Sequence, residues 1–260
     1  MSLVVFNQKG GVGKSTITCN LAAISAQQGH RTLVIDLDLQ ANSTRYLLGE
    51  AAAQAGDGIS GFFTEMLKFS LRPRAIGDFV VASPFDNLSV LPPGGDLDDL
   101  HGKLESRGKI YKLREAIEEL AGEYARIYVD TPPALNFYTR SALVAADGCV
   151  IPFDCDDFSR QALYTLLNNV KEIQADHNEG LEVKGIIVNQ FQPRANLPQR
   201  LVSELMQEGL PVLGTRLRSS VRVKESHDLA RPMVFLDARH KLTQEFVALH
   251  DELQGGAPPA

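Results

Sequence analysis

Long apolar runs are missing from this 260-residue chain. No stretch approaches the ~20 residues that cross a bilayer as a helix, which excludes a membrane-spanning segment. The first apolar run, LVVF at 3–6, leads directly into glycines and is too short for the core of a secretory signal. Cysteine is scarce. Cys19, Cys149 and Cys155 are odd in number and have neither a CxxC nor a metal-ligand spacing, so they read as reduced thiols of a cytoplasmic protein. Excess positive charge is also absent. A net charge of −6 is the wrong sign for a chain that coats nucleic acid over its whole surface. The charge is uneven, however: residues 190–250 carry nine Lys/Arg against six Asp/Glu, which leaves −9 for the rest. Any nucleic-acid contact is expected in that C-terminal quarter. No internal repeat and no linker divides the chain. A single domain over 1–254 is expected, with GGAPPA at 255–260 a disordered tail.

The composition, 44% hydrophobic and 22% charged, is that of an ordinary globular protein with enough length for one well-buried core. Short apolar runs at Leu3–Asn7, Thr32–Asp36, Leu88–Leu91, Ala125–Asp130, Cys149–Phe153, Val183–Asn189 and Pro211–Leu213 predict strands. Between them, helical patterns fall at about 14–28, 110–122, 159–175, 196–207 and 240–253. Strands that are apolar throughout and alternate with helices predict an α/β fold. Its sheet should be mostly parallel and twisted, covered by helices on both faces and joined by right-handed crossovers. The stretch 50–86 shows only a loop, AAAQAGDGISG, and a short helix near FFTEMLKF.

The informative segment is NQKGGVGKST at 7–16, which follows the first strand and opens the first helix. Glycines let a backbone turn tightly and point its N–H groups at phosphate oxygens, and the helix N-terminus adds partial positive charge. Gly10, Gly11, Val12 and Gly13 form such a cradle. Lys14 would bridge the β- and γ-phosphates, the Ser15 hydroxyl would ligate Mg²⁺, and Thr16 would contact the α-phosphate. Lys9 has no task in this scheme. The usual P-loop also wants glycine where Gln8 stands, so the loop is a variant.

NQKGGVGKST resembles the deviant Walker A loop, KGGxGK[ST], of the ParA/MinD ATPases. VIDLDLQANST at 34–44 resembles that family's second motif, and YVDTPPALN at 128–136 its Walker B region. VIPFDCDDFSRQALYTLL and GIIVNQFQPRANLPQRLVSEL resemble the strands and helices that follow, so the resemblance spans nearly the whole chain. It implies a single-domain P-loop NTPase fold, ATP and Mg²⁺ as ligands, and a homodimer that sandwiches two ATP molecules. It also implies that Lys9 reaches across to the partner's phosphates, in the manner of an arginine finger.

Asp36 and Asp130 end their strands, where each would hold water in a Mg²⁺ shell. Asp38, two residues beyond Asp36, lies on the same side of an extended chain and by resemblance positions the attacking water. Asn189 closes the strand GIIVN and by resemblance hydrogen-bonds adenine. Leu39 and Ala41 replace the family's usual proline and glycine. TRLRSSVRVKES at 215–226 carries Arg216, Arg218, Arg222 and Lys224, with no acidic residue before Glu225. It resembles the family segment near which ParA proteins place basic residues for non-specific DNA binding.

These readings imply a ParA-like positioning ATPase in the cytoplasm, associated with the nucleoid. ATP would drive dimerisation, and the dimer would bind DNA without sequence preference. A ParB-like or other cargo adaptor would then stimulate hydrolysis, positioning a plasmid, a chromosome origin or a protein assembly. With the ATPase strand first and no helix-turn-helix ahead of it, operator-specific repression is not expected. A MinD-like membrane-associated division regulator needs a basic amphipathic C-terminal helix, and LTQEFVALHDELQ turns acidic instead. A metabolic P-loop enzyme on the same fold is the remaining alternative.

Overall fold

The computed structural model describes residues 1–68, 72–95, 97–154, 160–192 and 196–256. The described residues form eight strands: β1 (Ser2–Val5), β2 (Thr32–Asp36), β3 (Val81–Ala82), β4 (Leu88–Leu91), β5 (Arg126–Asp130), β6 (Gly148–Asp154), β7 (Glu182–Phe191) and β8 (Val212–Arg218). They make one sheet in the order β3-β4-β2-β5-β1-β6-β7-β8, parallel throughout except for the edge pair β3–β4. The helices are α1 (Lys14–Gln27), α2 (Asn42–Leu48), α3 (Gly58–Leu67), α4 (Leu97–Ser106), α5 (Lys112–Leu120), α6 (Phe137–Ala145), α7 (Arg160–Asp176), α8 (Asn196–Gln207), α9 (Val221–Asp228), α10 (Met233–Leu236) and α11 (Lys241–Leu253).

Alternation along each strand sends side chains to two separate cores. Leu3 and Val5 of β1 pack with α1, α2, α10 and α11 on one face. Val4 and Phe6 pack with α3 to α8 on the other. Both sides are dry, which is why the strands read as unbroken apolar runs rather than as alternating ones. Helix α1 is buried on nearly every side, because it lies between the sheet and α11.

Every strand expected from the sequence is present, with shifts at the ends. The first runs over Ser2–Val5 rather than Leu3–Asn7, since Asn7 has already left the sheet: its side-chain amide donates to the Pro152 carbonyl at 2.7 Å. The last extends from Val212 to Arg218 and so takes in the first half of the basic segment. Strand β3 and helices α2, α4, α6, α9 and α10 were not expected. Gly255 and Gly256, expected to begin a tail, instead close α11, the Gly256 N–H returning to the Asp251 carbonyl at 2.9 Å. Residues 257–260 lie outside the described residues, as does the expected thiol Cys155. Cys19 and Cys149 are buried and unpaired. Among the described residues no helix is long and apolar enough to cross a membrane.

Candidate functional site: a phosphate loop over three strand ends

Register brings the acidic residues together. Parallel pairing sets Asp36 of β2 opposite Asp130 of β5, and Asp130 opposite Val5 of β1. Neighbouring parallel strands lie about 4.8 Å apart, and residues in register point to the same face, so the two carboxylates stand side by side. The loop between β1 and α1 passes over them. Gly13 precedes α1 at φ 88°, and a Cβ there would stand 2.4 Å from Nδ2 of Asn189. That amide in turn donates to the Val12 carbonyl at 2.9 Å. Only glycine meets both conditions at position 13.

Lys14 is 7% exposed, and its ammonium donates to the Lys9 carbonyl at 2.9 Å. Burial pushes its pKa down, while the charges of Asp130 and Asp38 pull it back up. Lys9 itself is exposed on the rim of the loop, and its N–H donates to Asn7 Oδ1 at 2.9 Å. Ser15 hydrogen-bonds Asp130, which also accepts from the Ser43 hydroxyl at 2.7 Å. Asp36 accepts from the N–H and hydroxyl of Thr44, at 2.9 and 2.8 Å, and from the Asp38 N–H at 3.1 Å. Asp38 accepts from the Gln40 N–H at 3.0 Å, and the turn ends on Ala41, whose N–H returns to the Asp38 carbonyl at 2.8 Å. Ala41 takes φ 51°, the left-handed region that favours glycine, at a backbone cost of about 1–2 kcal/mol.

Ser43 and Thr44, which hold the two carboxylates, were not singled out from the sequence. Both sit on the unexpected helix α2, and their signal was the NST following Ala41. His227 was missed as well; its ring reaches Thr16 from α9.

Asp36 and Asp130 are completely buried. Burial, and then the neighbouring Asp130 charge, pushes Asp36 up to about 8. Burial also pushes Asp130 up to about 6, against the hydrogen bonds of Ser15 and Ser43 and the Lys14 charge. Between the unfolded carboxyl value of about 4 and these folded values the native state binds more protons than the unfolded chain. Stability therefore falls as pH rises through that window, by about 1.4 kcal/mol per pH unit for one full proton. We expect the melting temperature of the nucleotide-free protein to fall between pH 5 and 8, and Asp36→Asn to flatten that slope. An unchanged slope in Asp36→Asn would assign the effect to other groups.

The donors suit a hard cation that shares its shell with phosphate oxygens. Among the described residues Asp130 Oδ1 is buried without a hydrogen-bond partner, and the Ser15 hydroxyl interacts with the same carboxylate. Among the described residues no three His, Cys, Asp or Glu side chains come together as a metal site. A carboxylate oxygen and a hydroxyl are hard donors, which suits Mg²⁺ bound together with a nucleotide's phosphates.

Beside the loop lies a cavity of about 440 Å³, lined by Gly11, Gly13, Thr16, Asn189, Gln190 and the stretch from Arg218 to Val221, with Val223 and Lys224. Part of the basic segment therefore faces the same cleft as the phosphate loop. Its four cations have different surroundings. Arg216 lies 4.8 Å from the Phe191 ring centroid. Arg218 is ion-paired to Glu245 at 2.5 Å, Arg222 is paired with Glu225, and Lys224 is exposed.

A family profile described as an AAA domain matches residues 2–183. The chromosome partitioning protein ParA of Myxococcus xanthus is 32% identical over 256 residues, which cover 96% of this chain and 87% of that one. The chain belongs to the ParA/MinD family of P-loop ATPases. Apo McdA from Cyanothece has the same fold, with a TM-score of 0.84 at 20% identity over 98% of this chain and 99% of that one. Cobyrinic acid a,c-diamide synthase from Mycobacterium smegmatis, solved with an ATP analogue and magnesium, gives 0.79 at 23% identity over 99% and 97%. The resemblance drawn from motifs thus holds at the level of family and fold, and this ParA/MinD chain is an ATPase.

Proposed function

We propose that this ParA-like ATPase closes as an ATP-sandwich homodimer, binds DNA without sequence preference, and positions a cargo through adaptor-stimulated hydrolysis. The observation that carries the reading is the contrast between its two loop lysines. Lys14 is buried against Asp38 and Asp130, whereas Lys9 stands exposed on the rim. Burial suits a lysine that serves its own phosphate site. Exposure suits one that serves a site on another molecule.

In this reading the N–H groups of Gly10, Gly11, Val12 and Gly13 cradle the phosphates, and Lys14 exchanges the Lys9 carbonyl for β- and γ-phosphate oxygens. Ser15, with Asp36 and Asp130 acting through water, would hold Mg²⁺, which neutralises charge on the phosphates. Asp38 orients the attacking water. Asn189 fixes Val12 and borders the cleft that takes the nucleoside. Lys9 neutralises the transferred phosphoryl group of the partner's nucleotide, an effect worth roughly 10³–10⁵ in rate where an arginine does it.

The DNA surface is assigned to Arg216, Arg218, Arg222 and Lys224. Two of these arginines are paired to carboxylates, so charge at this segment is smaller than the sequence suggests. Arg216 and Arg222 do not line the cleft and make the cleaner test. With ATP, binding to unrelated duplexes should be equal and should weaken steeply with salt. Arg216→Ala combined with Arg222→Ala should lower the slope of log affinity against log salt by up to about four, because a two-fold dimer presents each residue twice. Fluorescence polarisation across a salt series measures this. Sequence-preferring binding that needs no nucleotide would sink the positioning model.

A further inference from the structure

A further polar side chain reaches the first turn of α1 from far along the sequence. His227 of α9 places Nε2 2.9 Å from Oγ1 of Thr16. Its ring stacks on Tyr46 of α2, with centroids 3.8 Å apart and planes 17° from parallel. The Tyr46 hydroxyl bonds the Ser226 hydroxyl at 2.6 Å and accepts from Asn20 at 3.3 Å. Asn20 also donates to the Thr16 carbonyl at 2.9 Å and accepts from the Met233 N–H at 2.9 Å. Four helices therefore hold the imidazole and the Thr16 residue in fixed relation.

A hydroxyl has one hydrogen to give and two lone pairs. A phosphate oxygen only accepts. If Thr16 spent its hydrogen on the imidazole, it would turn lone pairs toward a phosphate and repel it. If the imidazole donates, the Thr16 hydrogen is free for the phosphate. Burial pushes the His227 pKa down, so near neutral pH the ring carries a single N–H, and its placement decides between these cases.

We infer that His227 is a positioning residue for the nucleotide: its Nε2–H donates to Thr16 Oγ1 and turns the Thr16 hydroxyl hydrogen toward the α-phosphate. The inference rests on the proposed role of Thr16, and the test separates the two. It uses calorimetric titration of the full chain with a slowly hydrolysed ATP analogue and Mg²⁺, with the melting temperature of the free protein as a check on folding.

His227→Phe keeps a ring on Tyr46 and removes the N–H. It should raise Kd roughly five- to tenfold, the size of one hydrogen bond. Thr16→Val should raise Kd at least as much, and adding His227→Phe to Thr16→Val should change nothing further, because the histidine acts only through that hydroxyl. His227→Gln and His227→Asn ask the same question without the ring. Glutamine carries an amide N–H as many bonds from the backbone as Nε2 and should bind near the parental level, whereas asparagine falls short and should not. A His227→Phe protein with parental Kd overturns the inference. So does a His227→Phe penalty that persists in the Thr16→Val background, which would make the ring a structural support. A Thr16→Val protein with parental Kd would instead remove the α-phosphate role of Thr16, and the inference with it.

Discussion

Mixing Lys9→Ala protein with Asp38→Ala protein is expected to restore ATP hydrolysis that neither variant has alone. Lys9→Ala should fold and bind ATP through Lys14, since it keeps the Lys9 carbonyl that accepts from Lys14 and the N–H that donates to Asn7. Asp38→Ala should bind and fail to hydrolyse for want of a positioned water, a loss of roughly 10²–10⁴ for a group acting on the nucleophile. In a mixed dimer the Lys9→Ala subunit keeps its own Asp38 and receives the partner subunit's Lys9, which rebuilds one site. The other site lacks both groups. Random pairing restores about a quarter of all sites, because half the dimers are mixed and each has one complete site. Adaptor- or DNA-stimulated phosphate release should rise accordingly above either variant. If Lys9 served its own subunit, neither site of the mixed dimer would be complete. With subunit exchange demonstrated by a labelled pair, an inactive mixture would end the assignment of Lys9 to the partner's site.

How much of this was legible from the residues depends on how local the signal was. The strand, glycine turn and helix of 2–27 lie within one short stretch, and strand periods over Thr32–Asp36 and Leu88–Leu91 agree with the structure to the residue. The missed helices are short or locally contradictory. Helix α2 has seven residues and a left-handed alanine at its start, α4 contains Gly102, and α9 opens on β-branched and charged residues. Their stability comes from packing, of α2 against α1, of α4 against α3 and α6, and of α9 against α10, which no window of ten residues displays. At the site, the strand-end carboxylates were visible as single residues. Their coupling was not, because it arises from the β2–β5 register between residues 36 and 130. The contact between Thr16 and His227, 211 positions apart, left no trace at all. The basic segment shows the opposite error: four cations in ten residues look like a patch, yet Glu245, from α11, neutralises one of them.

Two glycines of the same loop should fail for different reasons, and the difference tests the proposed dimer. At Gly13 an added Cβ meets Asn189 at 2.4 Å, and the backbone is left-handed at φ 88°. Gly13→Ala should therefore damage the isolated subunit, displacing Asn189 from Val12 and costing about 1–2 kcal/mol in backbone strain alone. Nucleotide affinity should drop well over tenfold, with a lower melting temperature. At Gly10 nothing among the described residues lies within 4 Å of an added Cβ, and the backbone is in no special region. The described residues of the subunit give no reason for glycine there. If the reason is a second subunit closing over the nucleotide, Gly10→Val should keep the parental melting temperature and bind one nucleotide per monomer. It should nonetheless stay monomeric by light scattering with a slowly hydrolysed ATP analogue and show almost no stimulated hydrolysis. A Gly10→Val protein that dimerises like the parent would show that open space at Gly10 is not kept for a partner, and the sandwich geometry would lose its steric support.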